Sequence, residues 1–321
     1  MDGQPVQFYS YAQELALQTF LPLLRSHLPT SNPLFNRLIA PHNVPSRHCL
    51  FAATVSPSNI DSSSIPPVIP EIYTLLFADR SRHLESQIWL FNPLITYPQP
   101  LSASNQIHLM THLESTILFL KNIQIPQAPG WPFLPILKFG CLHETLATTL
   151  LSIGNAKGVV RRQTIWNLWL VETGPVSKSK KKKELPEGFS MTRVPDEQLD
   201  LVLSTSSIPR QAETLKQQPS VGLLDQDGKM VAWGYIGIDA SFATLYVLPE
   251  FRGRGLAKSV AVELIGRLGR GEFVDLGYDG RSGWVHSDVY EGNEGSESVM
   301  RSLGGRVGWK SIYMWIDSEM F

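Results

Sequence analysis

The sequence predicts an α+β (mixed α/β) chain of two domains. Its 321 residues exceed one comfortable unit and suit two of ordinary size. Strand-like alternation and helical spacing of apolar residues intermix from end to end, as a mixed fold requires. A seam, Thr173-Gly-Pro-Val-Ser-Lys-Ser-Lys-Lys-Lys-Lys-Glu-Leu-Pro-Glu187, has almost nothing apolar to bury. Its breakers and mutually repelling lysines read as a linker over 173–187, between an N-terminal domain of 1–172 and a C-terminal domain of 188–321.

In the first domain, Leu15, Leu17, Phe20, Leu21 and Leu24 fall at helical spacing within 11–28, with Pro22 expected to break or kink the helix. Residues 49–55, 72–78 and 87–91 read as strands, and the Ser/Pro-rich run 56–70 as a loop. Helices are expected over 107–120 and 143–151, and a strand with Trp166 and Trp169 over 164–171. The histidines of this half, His27, His42, His48, His83, His108, His112 and His143, are scattered. His108 and His112 are spaced for a helical metal pair, but no third ligand is near in sequence, so surface histidines and no metal site are expected.

The second domain is tighter. A strand over 189–193 precedes a helix over 195–203, opened by Pro195, Asp196 and Glu197 where acidic groups suit a helix start. Strands over 220–224 and 230–238 flank Asp227-Gly228, a hairpin turn signal. Residues 241–248 are apolar on both faces, which predicts a central strand covered on each side. A helix over 256–268, a strand over 285–289, a helix over 293–303 and a strand over 311–316 complete the order β-α-β-β-β-α-β-α-β.

Composition narrows the function. The chain is 43% hydrophobic and 18% charged with a formal net charge of -1, which excludes a globally basic nucleic-acid binder. Two cysteines, Cys49 and Cys141, make neither a disulfide framework nor a four-thiolate zinc site and are read as core. The start of the chain lacks a charged-then-apolar leader, and no apolar run reaches membrane-spanning length. A cytoplasmic protein with no membrane or nucleic-acid partner is expected; Lys180 to Lys183 offer the alternative of a nuclear address.

The chemistry concentrates in Pro249-Glu-Phe-Arg-Gly-Arg-Gly-Leu-Ala-Lys258, between a strand and a helix. A helix start carries unpaired N–H groups and an effective charge of about +0.5. Gly253 and Gly255 let the backbone curl so that those donors converge. Arg252, Arg254 and Lys258 add positive charge, and together these residues describe a pyrophosphate cradle. A P-loop would need Gly-Lys-Ser/Thr, and a dinucleotide fingerprint a third glycine where Lys258 stands.

Arg252-Gly253-Arg254-Gly255-Leu256-Ala257 resembles the Arg/Gln-x-x-Gly-x-Gly/Ala loop of the GNAT acyltransferase superfamily. The run Leu245 to Gly253, His286-x-Asp288 and the helix at Asn293 are most similar to its glycine N-acyltransferase-like branch. The resemblance covers about 189–315 and implies a GNAT-like fold there. That branch carries an N-terminal half resembling a degenerate copy of the same fold, with which 1–172 is compatible. The resemblance also implies acetyl-CoA or another acyl-CoA as co-substrate. Its diphosphate would be held by the amides of Gly253, Arg254, Gly255, Leu256, Ala257 and Lys258 with Arg252, and its pantetheine arm by Val247 and Leu248. Asn293 and Ser296 match a second family block; Asn293 contacts cofactor or caps its helix. Met300 stands where the family places a tyrosine that protonates the departing thiolate.

Attack on a thioester needs a neutral amine. About a tenth of an α-amine of pKa about 8 is neutral at pH 7, against a few parts in ten thousand for lysine. The family's acidic base aligns with Ser241, so Asp239 is the nearest candidate base, or else a solvated turn residue. His286 is a candidate relay or a packing histidine. The expected function is acyl transfer to a primary amine of a small molecule or amino acid, by direct attack in a ternary complex with a main-chain N–H near Val247 polarising the carbonyl. The alternatives are a weak or inactive acyl-CoA-binding protein and a protein N-acetyltransferase.

Overall fold

The computed structural model describes residues 6–57, 69–79, 85–123, 135–155, 158–178, 185, 187–206, 208 and 210–321. His83 and Lys180 to Lys183 lie outside them. The chain divides into two compact units, residues 1–166 with 309–321, and residues 167–308.

The first unit begins with β1 (Tyr9–Tyr11), α1 (Gln13–Arg25), α2 (Asn32–Ile39), β2 (Leu50–Ala53), β3 (Leu75–Asp79) and β4 (Gln87–Phe91). It continues through α3 (Ala103–Asn122), β5 (Ile136–His143), α4 (Glu144–Asn155) and the start of β6 (Val160–Glu172). β1 to β4 pair as antiparallel neighbours, while β4 and β5 run parallel and meet at one pair, Ile88↔Phe139. β2 and β3 are buried at every residue. α1 accommodates Pro22 within the helix.

The second unit holds α5 (Thr173–Lys178), β7 (Ser190–Thr192), α6 (Leu199–Thr205), α7 (Ala212–Lys216), β8 (Ser220–Leu224), β9 (Met230–Ile236) and β10 (Phe242–Val247). These are followed by α8 (Leu256–Gly269), β11 (Trp284–Val289), α9 (Glu294–Ser302) and the start of β12 (Arg306–Asp317). Its four-stranded sheet has the order β10-β9-β8-β7. β9 is buried throughout, with Val231 and Ile236 in the core under α8 and Met230, Trp233 and Tyr235 in a second core with α6 and α7 residues. α8 buries Leu256, Val260, Ala261, Leu264, Ile265 and Leu268, a stripe at helical spacing.

Each half repeats one order, β-α-α-β-β-β-α-β-α-β, with α5 between the copies. The closing strands are exchanged. β6 pairs with β11 from Asn167 to Glu172, inside the second unit, and β12 pairs with β5 from Ser311 to Asp317, inside the first. The partition therefore runs through β6 and β12 rather than through the expected seam, whose residues from 173 to 178 form α5, with Val176 packed on the core under α8.

Two expectations are corrected. The strand over 241–248 is not central: β10 ends its sheet, and Ala243 to Leu248 are half-buried. Both its faces are apolar because Leu245 and Val247 touch one core and Tyr246 and Leu248 the other; β9 takes the covered position. His112 is no surface residue: it is buried, with Nδ1 2.9 Å from Thr74 Oγ1. Burial, then the charge of His108, pushes its imidazole down to about 4.

Candidate active site

The candidate residues lie in the second unit, where β10 and β11 part. The two strands touch through one parallel bridge, Ser241↔His286. His286 N–H donates to Ala240 O at 3.2 Å and Ser287 Oγ–H to Phe242 O at 3.3 Å. Beyond this point β11 pairs with β6 and β10 with β9, so the near edges of β10 and β11 stand open.

A bulge in β10 shapes its open edge. The register with β9 slips by one residue between Ala243 and Tyr246, and Thr244 there has φ 54°, a left-handed value unusual for a β-branched residue. Past the bulge, Leu248 N–H donates to Val231 O at 2.9 Å. Backbone groups of an antiparallel edge strand alternate in direction, so Val247 N–H turns away from β9, off the sheet. Val247 O on that side accepts from Arg252 Nε–H at 3.1 Å. The Arg252 guanidinium also lies over Tyr246, 5.4 Å from the ring centroid, and Tyr246 stacks on Trp233 at 5.0 Å. The sequence reading missed this cation–aromatic stack, although the Trp233 to Arg252 pattern contains its members.

The glycine loop adopts the expected form. Gly253 has φ 76° and Gly255 has φ 78°, values that favour glycine. Gly255 is the N-cap of α8 and no side chain caps the helix. Ser259 N–H reaches Gly255 O at 3.2 Å, so the N–H groups of Leu256, Ala257 and Lys258 precede the first intrahelical bond. A Cβ placed on Gly253 would meet nothing within 4 Å; the space over it is open. Residues 252 to 255 and Lys258 are exposed, and Arg254 Nη2–H donates to Glu250 O at 3.3 Å. Uncapped donors, positive charge and an open approach fit a diphosphate.

Asp239 and His286 are brought together. Asp239 sits in the tight turn between β9 and β10, where Gly237 N–H donates to Ser241 O at 2.7 Å. It is buried rather than solvated, with Oδ1 accepting Ser241 N–H at 3.1 Å. His286 Nε2 is 3.7 Å from Asp239 Oδ2, the range of charge attraction rather than a formed hydrogen bond. Burial alone would raise the Asp239 carboxyl; His286 and the Ser241 donor outweigh it and hold the group well below its usual range. Burial alone would lower the His286 imidazole; Asp239, then the charge of Asp288, outweighs it and the group is raised. The two groups form a buried pair in which each favours the charged form of the other.

The second block is placed differently. Asn293 Oδ1 accepts Ser296 N–H at 3.1 Å and so caps α9. Met300 is 2% exposed and belongs to the core under α8, so its side chain is not presented to the open edge. Among the described residues no group of three or more His, Cys, Asp or Glu is arranged to hold a metal ion, and no helix is long and apolar enough to cross a membrane. Cys141 is buried and Cys49 half-buried.

Residues 5–168 match the family described as the acyl-CoA N-acyltransferase verG N-terminal domain. The match falls on the half in which the sequence reading found no catalytic signature. No curated protein is similar enough in sequence to count as a match. A Drosophila protein known from X-ray work aligns over 98% of this chain and 99% of its own, at 15% identity and a TM-score of 0.64. A tandem GNAT protein from the clavulanic acid biosynthesis pathway aligns over 97% and 98%, at 12% identity and 0.52. A GCN5-related N-acetyltransferase from Sphaerobacter thermophilus aligns over 97% and 95%, at 13% and 0.50. At such identities the likeness is one of fold, a mixed α/β GNAT fold spanning nearly the whole chain. Because the matched family covers just over half of the residues, the chain belongs to the acyl-CoA N-acyltransferases typified by verG and is an N-acyltransferase.

Proposed function

We propose that the second unit transfers an acyl group, acetyl first among the candidates, from acyl-CoA to a primary amine of a small molecule or amino acid. The observation that carries this reading is the juxtaposition of the uncapped α8 start with the outward-facing N–H of Val247 on one open edge. In this reading the diphosphate rests on the amides of Gly253 to Lys258, and the thioester carbonyl accepts from Val247 N–H. The neutral amine attacks the carbonyl carbon, the carbon–sulfur bond breaks, and the thiolate takes a proton from water, since Met300 supplies none. The proton lost by the amine passes through water to the neutral form of the His286 imidazole, Asp239 orienting the ring, and leaves from there to solvent. The run from Leu245 to Gly253 supports the glycine N-acyltransferase-like branch and an amino-acid acceptor.

Mixing purified protein with acetyl-CoA and a panel of primary amines, and following free thiol, tests the reading. Thiol release that depends on one amine class supports it. Burial of Met300 favours one rival, a protein that binds acyl-CoA without turnover; thermal stabilisation by acetyl-CoA with no thiol release from any amine would establish that rival. His286→Gln should lower kcat at least tenfold with an unchanged KM for acetyl-CoA, a loss of the size general acid–base groups supply.

A further inference from the structure

The first unit has a chemistry-bearing cavity of its own. By element order β4 and β5 correspond to β10 and β11, and they too meet at one parallel pair, Ile88↔Phe139. At this parting lies a cavity of about 10 Å³, lined by Ser31, Trp89, Phe91, Cys141, His143 and Trp309 among others.

Three of its lining residues, Trp89, His143 and Trp309, carry ring N–H donors. Trp89 is 3% exposed and Trp309 7%, and neither indole Nε1 has a hydrogen-bond partner in the protein. A buried donor left unmade is costly. His143 Nδ1 accepts Thr145 N–H at 3.2 Å, which puts the proton of a neutral ring on Nε2. Burial pushes that imidazole down to about 4, so the ring is neutral at ordinary pH. Trp309 packs against it, ring centroids 5.4 Å apart. Ser31 Oγ–H is committed to Leu24 O at 2.5 Å, and the lining has no lysine, arginine or carboxylate.

We propose that this cavity takes the carboxylate of a small organic acid, one oxygen entering among the Trp89, His143 and Trp309 N–H donors. A lining with three N–H-bearing rings and no charged side chain favours a group that accepts, and an ionised acceptor forms the stronger bonds. The volume is that of one water-sized group, so the acid enters by its head. The cavity is not a second acyl-CoA site. The connection from β4 to α3 contains no glycine over 92–102, and Ser102 Oγ caps α3 by accepting Asn105 N–H at 3.2 Å.

Titration of the full-length chain, labelled with 15N in tryptophan, with sodium acetate tests this. Trp89→Phe and Trp309→Phe assign the two indole signals. Both should move downfield along one saturable curve, while those of Trp169 and Trp233 in the second unit stay in place. Immobile Trp89 and Trp309 signals, or equal movement with sodium chloride, would overturn the proposal. If a phenylalanine variant does not fold, the 15N shift of His143 Nε2, in the unaltered sequence labelled with 15N in histidine, reads the same event. A ring nitrogen indifferent to acetate would then refute it.

Discussion

Replacing Asp239 by asparagine isolates the charge of the buried pair while keeping its shape. Two unit charges 3.7 Å apart attract by about 4–5 kcal/mol at an effective dielectric of 20. Desolvation opposes that gain, and removing one partner of a buried pair costs about 3–5 kcal/mol. The raised His286 pKa contributes stability that is complete below the free-imidazole value and is lost as pH climbs through the folded value. The depressed Asp239 pKa contributes stability that is present above the free-carboxylate value and is lost as pH falls through the folded one. The pair is therefore worth most from about pH 4 to about 6.5, between the two free values. Asp239→Asn should cost about 3 kcal/mol near pH 5.5, where the imidazolium would lose its partner. At a pH above the folded His286 value, where the imidazole is neutral, the cost should shrink to about 1 kcal/mol, the difference between carboxylate and amide as acceptors of Ser241 N–H. Urea unfolding at the two pH values measures both. A cost that does not change with pH would show that the pair carries no mutual charge, and the argument built on it would fail.

Gly255→Ala puts a Cβ at φ 78°, which should cost about 1–2 kcal/mol and abolish the rise in melting temperature caused by acetyl-CoA, read by scanning fluorimetry. Gly253→Ala, where the added Cβ meets no protein atom, should weaken acetyl-CoA binding through backbone strain and crowding of the ligand alone. Asn293→Ala removes the cap on α9 and should lower stability by about 1 kcal/mol; an unchanged KM for acetyl-CoA would mark the residue as structural. Met300→Tyr should not raise kcat, because the side chain is in the core; overpacking there should cost about 1–3 kcal/mol in urea unfolding.

Local chemistry was legible where local rules decide the backbone. Gly253 and Gly255 carry positive φ as their spacing implied, and α8 begins at Leu256. β4 and β8 have the bounds read from their letters. What escaped depends on partners distant in the chain. β5 has no counterpart among the strands read from the sequence; Gly140 and Cys141 lie inside its apolar run, and its edges are completed by strands from elsewhere. β10 resembled a covered strand because two cores claim its alternate residues. Burial of Asp239 against His286 arises from a bridge between residues 45 positions apart (286 against 241), which no spacing rule reports.

The traded closing strands give the carboxyl terminus an unexpected reach. Residues 309–321 belong to the unit otherwise made of residues 1–166, and β12 covers an edge of β5. A stop codon just after Gly308 would thus leave the glycine loop in the chain and strip a sheet edge at residues 136–143, where bare backbone invites aggregation. Neither half can be cloned as an autonomous piece by cutting at the lysines: the first unit needs residues 309–321 joined to residues 1–166, whereas the second is the continuous stretch 167–308.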